Sequence, residues 1–418
     1  MIKKVLSIAL AAFVLGAALQ LCSCGKDDGS IVVPGPPAPG GGGTEDPGTD
    51  PGTDPGTDPG TGEEEDLFHC TDIGQTPIVL AYFTEYTERL PEVTLLTHIN
   101  YAHGRFADPT NGTGGIVITE SNKAPIKDVI ALKRVNPRLK VCLMIGGWGG
   151  HADGFSMMAR DAAKRTEFCQ SVKSLLDKNG LDGVDIDWEY PTQSADGETG
   201  CDPSDTQNFN LVLKELRETI GRDKIISFAS SSSAKYVDWK TAIKYLDYVN
   251  VMTYDMGAAP NGHNSPLHKS AKFNHRSWDE SVDAHLAGGV PKNRMVMGVP
   301  FYGKAEKNPA AGTKIFDYSV RYYEIPDILE KGIYKGKPLA RSVMRAWEPT
   351  SMVPYLVDAT GKNVLSYDDP ESVTLKGEYV KNGGMLGAMF WEYRCDTGDN
   401  QLLRALTKSL YGKESVLE

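Results

Sequence analysis

Histidine and cysteine are scarce in this chain, eight and seven among 418 residues. Beyond residue 24 the cysteines stand at 70, 142, 169, 201 and 395, an irregular spacing that matches no zinc-site pattern. One disulfide is compatible with that count, but spacing does not pair them, and the apolar settings of Cys142 and Cys169 suit buried thiols. No metal and no other cofactor is assigned, since imidazole and thiolate clusters are missing. A surplus of base is missing too. Forty-four Lys and Arg face fifty-five Asp and Glu, for a net charge of −11, so a nucleic-acid partner is not expected. No glycine-rich phosphate loop follows the first candidate strand, which counts against a doubly wound nucleotide-binding sheet.

What is present starts with "MIKKVLSIALAAFVLGAALQLCSCGKDD". Two lysines, an apolar stretch too short for a comfortable membrane span, and small residues with cysteine form the pattern of an export signal. The piece "LCSC" resembles a bacterial lipobox, with Leu21 at minus three, Ser23 at minus one and Cys24 as the residue to be lipidated. Cys22 is the weaker alternative, and an ordinary cleaved secretory peptide is the other reading. The following "GKDDG" resembles the lysine-plus-acid signal of Bacteroidetes surface lipoproteins. Residues 1–24 are thus expected to be a lipoprotein signal, and the location an outer-membrane lipoprotein on the cell surface, with the lipid anchor as its sole membrane contact.

Residues 25–66 are Pro, Gly, Thr and acid, with "PGTD" repeated. They offer too little apolar surface to offset ordering entropy, so a disordered tether is expected. Residues 44–66 carry −9 and residues 1–43 carry +1, which leaves −3 on residues 67–418. A nearly neutral domain suits a neutral partner.

Within 67–418, eight short apolar runs read as strands: 77–83, 96–103, 139–147, 181–187, 224–230, 246–255, 294–301 and 384–393. Amphipathic stretches between them, such as 154–179 and 204–221, show apolar residues three and four apart. Eight such units predict an α/β fold, a (β/α)8 TIM barrel. Extra length at about 305–372, between strands 7 and 8, reads as a small α+β insertion able to deepen a cleft at the carboxyl ends of the strands.

The chemistry concentrates in "DGVDIDWEYP". Asp185, Asp187 and Glu189 alternate, so in a strand they share one face, while Val184, Ile186 and Trp188 share the other. Like charges so close repel, and at least one acid must hold a proton near neutral pH. Tyr254 and Asp255 end the sixth strand and Trp391 ends the eighth. Carboxylates, a phenol and an indole around one axis suit a sugar, whose apolar ring face stacks on an aromatic while its hydroxyls take hydrogen bonds.

These residues resemble the signature of glycoside hydrolase family 18, the chitinase family: DGxDxDWE followed by an aromatic and proline. "YVNVMTYDMG", with Met252, resembles its MxYD motif, and "MGVPFYGK" and "GAMFWEYRCD" resemble its seventh and eighth strands. The insertion segments "VPYLV" and "LSYDDPESV" resemble those of deep-cleft chitinases. The resemblance implies hydrolysis of β-1,4 bonds between N-acetylglucosamine units, retaining and assisted by the substrate, which departs from the usual pair of catalytic carboxylates. Glu189 is then the general acid and later the base. Asp187 meets the acetamido N–H and the oxazolinium ion, and Asp185 shares a proton with it. Tyr254 binds the acetamido oxygen, Asp255 contacts the sugar, and Trp391 floors it. The implied partner is an oligo- or polysaccharide containing N-acetylglucosamine, and the protein is expected to act as a monomer.

Two departures stand out. Met144 occupies the place of the family's third-strand serine, which is expected to disturb the Asp185–Asp187 pair, and Lys304 stands where arginine is common. The alternatives are an endo-β-N-acetylglucosaminidase acting on N-glycan cores and an inactive glycan-binding lipoprotein; the tryptophan in "DWEYP" and the presence of Glu189 oppose them. Tyr82, Trp148, Met252 and Tyr302 are candidates to line the substrate, although for Tyr82, Tyr101, Trp148 and Tyr302 core or rim packing fits as well. Trp347 is a further candidate in the insertion. Trp188 should pack against helices, His98 and His103 should be hydrogen-bonded interior groups, and Asp108 with Asn111 should serve a turn.

Overall fold

A computed structural model describes residues 68–194, 200–273 and 276–418. Cys24 and the tether at 25–66 lie outside the described residues.

Eight parallel strands close on themselves: β1 (Ile78–Thr84), β2 (His98–Asp108), β3 (Lys140–Gly146), β4 (Gly183–Asp187), β5 (Ile225–Ser231), β6 (Tyr248–Met252), β7 (Met295–Pro300) and β8 (Gly387–Trp391). Each pairs with the next, and β8 returns to β1 through Ile78↔Gly387 to Ala81↔Phe390. This is the (β/α)8 barrel expected from the sequence. Alternation along each strand divides the core in two. Ile78, Leu80, Tyr82, Cys142, Met144, Tyr248 and Met389 fill the interior of the barrel. The opposite parity, including Val79, Ala81, Val141, Leu143, Val184 and Ile186, packs outward against the helices. Fully burying such side chains contributes about 1.5 to 3 kcal/mol each, so the two layers together hold the strands in register.

The outer layer is built by α1 (Ile126–Ala131), α2 (Ala162–Asn179), α3 (Asp205–Ile220), α4 (Trp239–Ala242), α5 (Trp278–Gly288), α6 (Pro370–Gly383) and α7 (Gln401–Tyr411). The periodic stretch at 154–179 is not one helix. It breaks after Phe155–Ala159, because the Asp161 side chain accepts from the backbone N–H of Ala163 and Lys164 and starts α2 afresh. Trp188 packs outward as its parity demands, stacked on Phe155 at 5.4 Å and edge-on to Phe209 at 5.8 Å. Strand β2 outruns the barrel and pairs back on the strand Thr113–Ile118, with Asn111 Nδ2 donating to Asp108 Oδ2 in the turn at 2.9 Å.

At the amino end of the barrel, Arg217 of α3 is buried with Asp247, Nη2 to Oδ2 at 2.7 Å. Asp247 also accepts from the backbone N–H of Cys70 and Ile226. His98 is an interior group there, bonded to Thr97 and to the Ile73 carbonyl.

The insertion between β7 and β8 is an antiparallel five-stranded sheet in the order 319–321, 302–305, 363–366, 353–358, 343–348, with a short helix at Ile325–Lys331. Its sheet reaches back to Tyr302, so Tyr302 and Lys304 belong both to the end of the barrel and to the start of the insertion. None of Cys70, Cys142, Cys169, Cys201 and Cys395 is in a disulfide, and Cys142 and Cys169 are buried thiols.

Candidate active site

The inward face of β4 carries Asp185 and Asp187 up the axis of the barrel, and Glu189 follows just past the end of the strand. All three are buried, with Asp187 only 3% and Glu189 only 7% exposed. Two glycines permit this crowding. Gly146 ends β3 at φ +103°, and a Cβ there would stand 2.1 Å from the Asp187 carbonyl oxygen. At Gly298 of β7 a Cβ would stand 2.8 Å from the Tyr254 ring, so glycine leaves the phenol its place.

The three acids are held differently. Asp185 accepts from Ser227 Oγ at 2.6 Å, from the Tyr82 hydroxyl at 2.8 Å and from Asn250 Nδ2 at 2.9 Å. Burial still pushes its pKa up to about 6 against those donors. Asp187 has an orphaned Oδ1, with no hydrogen-bond partner among the described residues. Burial first, and then Glu189 and Asp185, drive its pKa well above the carboxylate range. Glu189 is pushed up to about 7, again chiefly by burial, with Tyr190 opposing and Asp255 adding to the shift. A carboxylic acid that keeps its proton near neutrality can deliver it to a leaving group.

Around this array stand the aromatics. Tyr254 is half-buried, its ring edge-on to Tyr302 at 6.2 Å. Asp255 is exposed at φ +55°, fixed by the Asn264 side chain, which accepts from its backbone N–H at 2.9 Å. Its Oδ1 accepts from the Tyr302 hydroxyl at 2.7 Å and meets Lys304 Nζ at 3.0 Å. Lys304 thus holds Asp255 as a point charge where a bidentate arginine is common. Trp391 is half-buried at the end of β8, 5.4 Å from the Tyr82 ring.

Glu189, Asp187, Asp185, Tyr254, Asp255 and Trp391 therefore meet at one end of the barrel. Two candidates for substrate contact lie one layer deeper. Tyr82 is buried beneath Trp391 and spends its hydroxyl on Asp185, and Tyr302 is buried and spends its own on Asp255, so each acts through an acid. Met252 is buried at the inner wall, whereas Trp148 is 52% exposed just past β3. Tyr101 is core: its hydroxyl donates to the Ala124 carbonyl. Trp347 lies on the edge strand of the insertion under the Arg345 guanidinium, 5.2 Å away. Ser227 and Asn250 were missed from the sequence. The available signal was parity, since both are polar residues at inward positions of apolar strands. They supply from β5 and β6 what Met144, in register with Asp185 on β3, cannot.

The family model for glycosyl hydrolases family 18 matches residues 78–396. Chitinase A1 of Niallia circulans is 30% identical, over 78% of this chain and 56% of its own length. Chitinase B of Serratia marcescens is 28% identical, over 75% of this chain and 76% of its own. The match thus spans little more than half of the first of these relatives. Among solved structures, a family 18 N-acetylglucosaminidase from Paenibacillus barengoltzii is similar with a TM-score of 0.66 and 31% identity, covering 80% of this chain and 99% of that one.

Proposed function

The chain belongs to glycoside hydrolase family 18 and is a chitinase-like glycosidase, and from that premise we propose that it hydrolyses β-1,4 linkages between N-acetylglucosamine units by a retaining, substrate-assisted mechanism. The observation that carries the reading is the acid ladder on β4, with a proton-holding Glu189 at the mouth and an orphaned, proton-retaining Asp187 beneath it. Glu189 protonates the glycosidic oxygen. The carbonyl oxygen of the sugar's own acetamido group attacks the anomeric carbon, held so close that the step is effectively unimolecular. Asp187 turns its free oxygen to the acetamido N–H and stabilises the oxazolinium ion, while Asp185, anchored by three donors, stays in place as the second site for the shared proton. Tyr254 bonds the acetamido oxygen and Trp391 lies under the sugar. Glu189 then takes a proton from water, which opens the oxazolinium ion with retention of configuration.

The test is mass spectrometry of products after incubating the purified full chain with chitohexaose and, separately, with an N-linked glycopeptide. Shortening of chitohexaose alone is expected. Release of glycan with one N-acetylglucosamine left on the peptide would transfer the assignment to N-glycan cores, and silence on both would leave a glycan-binding protein. The sequence of residues 1–66 supports a placement outside the cytoplasm, with Cys24 lipidated and the acidic tether spacing the barrel from a membrane. Cys24→Ala should then move the protein from the membrane pellet to the soluble fraction; an unchanged distribution would refute the anchor.

A further inference from the structure

Asp255 stands just past β6 with a backbone φ of +55°, in the left-handed region that a residue with a Cβ adopts only where its surroundings impose it. Asn264 imposes it here. This residue lies in the loop between β6 and α5 and is fully buried. Its Oδ1 accepts from the Asp255 N–H at 2.9 Å, its backbone carbonyl accepts from the Met256 N–H at 3.1 Å, and its Nδ2 donates to the Tyr302 carbonyl at 2.9 Å. Asp255 and Tyr302 are also joined side chain to side chain, at 2.7 Å. One amide therefore ties together the backbones of the two residues whose side chains meet.

An asparagine that only satisfied its own loop would be as deeply buried, but it would not spend its side chain in this way. Both ends of the amide are committed, an acceptor to an N–H and a donor to a carbonyl, so its orientation is dictated and a flipped amide would break both bonds. The loop is seated from behind as well. The Asn264 N–H donates to Ser366 Oγ at 3.0 Å, on the strand 363–366 of the insertion. The next residue, Ser265, donates to the Thr253 carbonyl at 2.6 Å and accepts at 3.0 Å from Lys376 of α6, whose ammonium is paired with Asp368. Thr253 and Asp255, the two neighbours of Tyr254, are thus pinned by consecutive residues of one loop, and that loop is pinned by the insertion and by α6.

We propose that Asn264 is a positioning residue for the hydrolysis: it fixes Asp255 and Tyr302 relative to each other, and through Ser366 it makes the insertion a support of the reacting end as well as a wall of the cleft. This rests on the reading of Asp255 as a contact to the sugar. Asn264 acts through Asp255 and exchanges no proton.

The experiment measures kcat and KM of the full-length enzyme on chitohexaose for the wild type, Asn264→Leu and Asn264→Asp. Asn264→Leu keeps the volume and removes both amide bonds, so kcat should fall about tenfold to a hundredfold, the scale of a misplaced contact, with KM changed less than about threefold. A structural asparagine would give a loss through unfolding, and Asn264→Asp separates the two. A buried carboxylic acid that holds its proton copies the amide, with one oxygen accepting from the Asp255 N–H and a hydroxyl donating to the Tyr302 carbonyl. Once ionised it has no donor for that carbonyl. At about pH 5 the kcat of Asn264→Asp should therefore stand within about threefold of the wild type at the same pH, and at about pH 8 the ratio should drop about tenfold further. A ratio that is the same at both pH values, or an unchanged kcat in Asn264→Leu, would overturn the positioning role. If Asn264→Leu does not fold, the Asn264→Asp ratio decides alone. A wild-type enzyme inactive on chitohexaose would sink the reading of the cleft, and the positioning role would then be decided by crystal structures of Asn264→Asp at the two pH values. An Asp255–Tyr302 hydrogen bond intact in both would overturn it, and one broken only at the higher pH would sustain it.

Discussion

The two ends of the barrel bury carboxylates in opposite ways. At the amino end Asp247 is enclosed with a guanidinium at 2.7 Å and two backbone N–H donors, so its charge is matched on every side. At the carboxyl end Asp185, Asp187 and Glu189 are as deeply enclosed, yet among the described residues no cation pairs with any of them, and all three pKa values rise. One fold thus buries the same residue type with its charge matched below and with its proton affinity raised above. The division agrees with the general rule that barrels react at the carboxyl ends of their strands and are stabilised at the other.

The sharpest way to break the comparison is at the reacting end. Glu189→Gln keeps the shape but cannot release a proton, so turnover on chitohexaose should fall about a hundredfold to ten-thousandfold. Binding of the intact oligosaccharide, followed by calorimetry, should persist; a near-normal rate would remove Glu189 from the proton-donor role. The next largest effect belongs to the other end. Arg217→Ala strands Asp247 as a buried unpaired charge, and urea unfolding should show a loss of about 3 to 5 kcal/mol. If Arg217→Ala proves neutral in stability, the amino end is not the cohesive one.

A third test concerns pH. Asp185, Asp187 and Glu189 have folded-state pKa values raised above their unfolded ones, so the folded state binds more protons between about pH 4 and 7. Their contribution is therefore fully present below the unfolded values and is lost as pH rises through the folded ones. The cost is about 1.4 kcal/mol per pH unit for each excess proton. The buried imidazoles of His98, His103 and His285, lowered to about 4, act in the opposite direction, so the quantity to measure is a difference: from pH 4 to 8 the stability of the wild type relative to Glu189→Gln should decline. An unchanged slope in that variant would mean that Glu189 titrates normally. In the same range kcat/KM should fall above pH 7, as Glu189 loses the proton it must donate.

Much of the reacting end was legible because strand parity is a local property. Three acids two residues apart must share a face wherever the strand goes, and Trp188, at the intervening position, had to face the helices. The supports of those acids were not legible in the same way. Ser227, Asn250 and Tyr82 converge on Asp185 from β5, β6 and β1, and no spacing along the chain states that they meet. A bulge at His103, where β2 pairs with β3, was equally hidden, since a register step is a relation between two strands. The apolar spacing of 154–179 runs on without a break, and the cap at Asp161 divides the stretch into two helices.

By itself the sequence determined the alternation of eight strands with helices, the face on which the acids stand, and the aromatic and acidic residues that end the strands. Each follows from periodicities of two and of 3.6 residues, which neighbouring residues carry among themselves. Closure of the barrel decided the rest. It fixed which donors reach Asp185, which acid is left with an orphaned oxygen, and how far each proton affinity rises, because burial and facing charges depend on strands far apart in the chain.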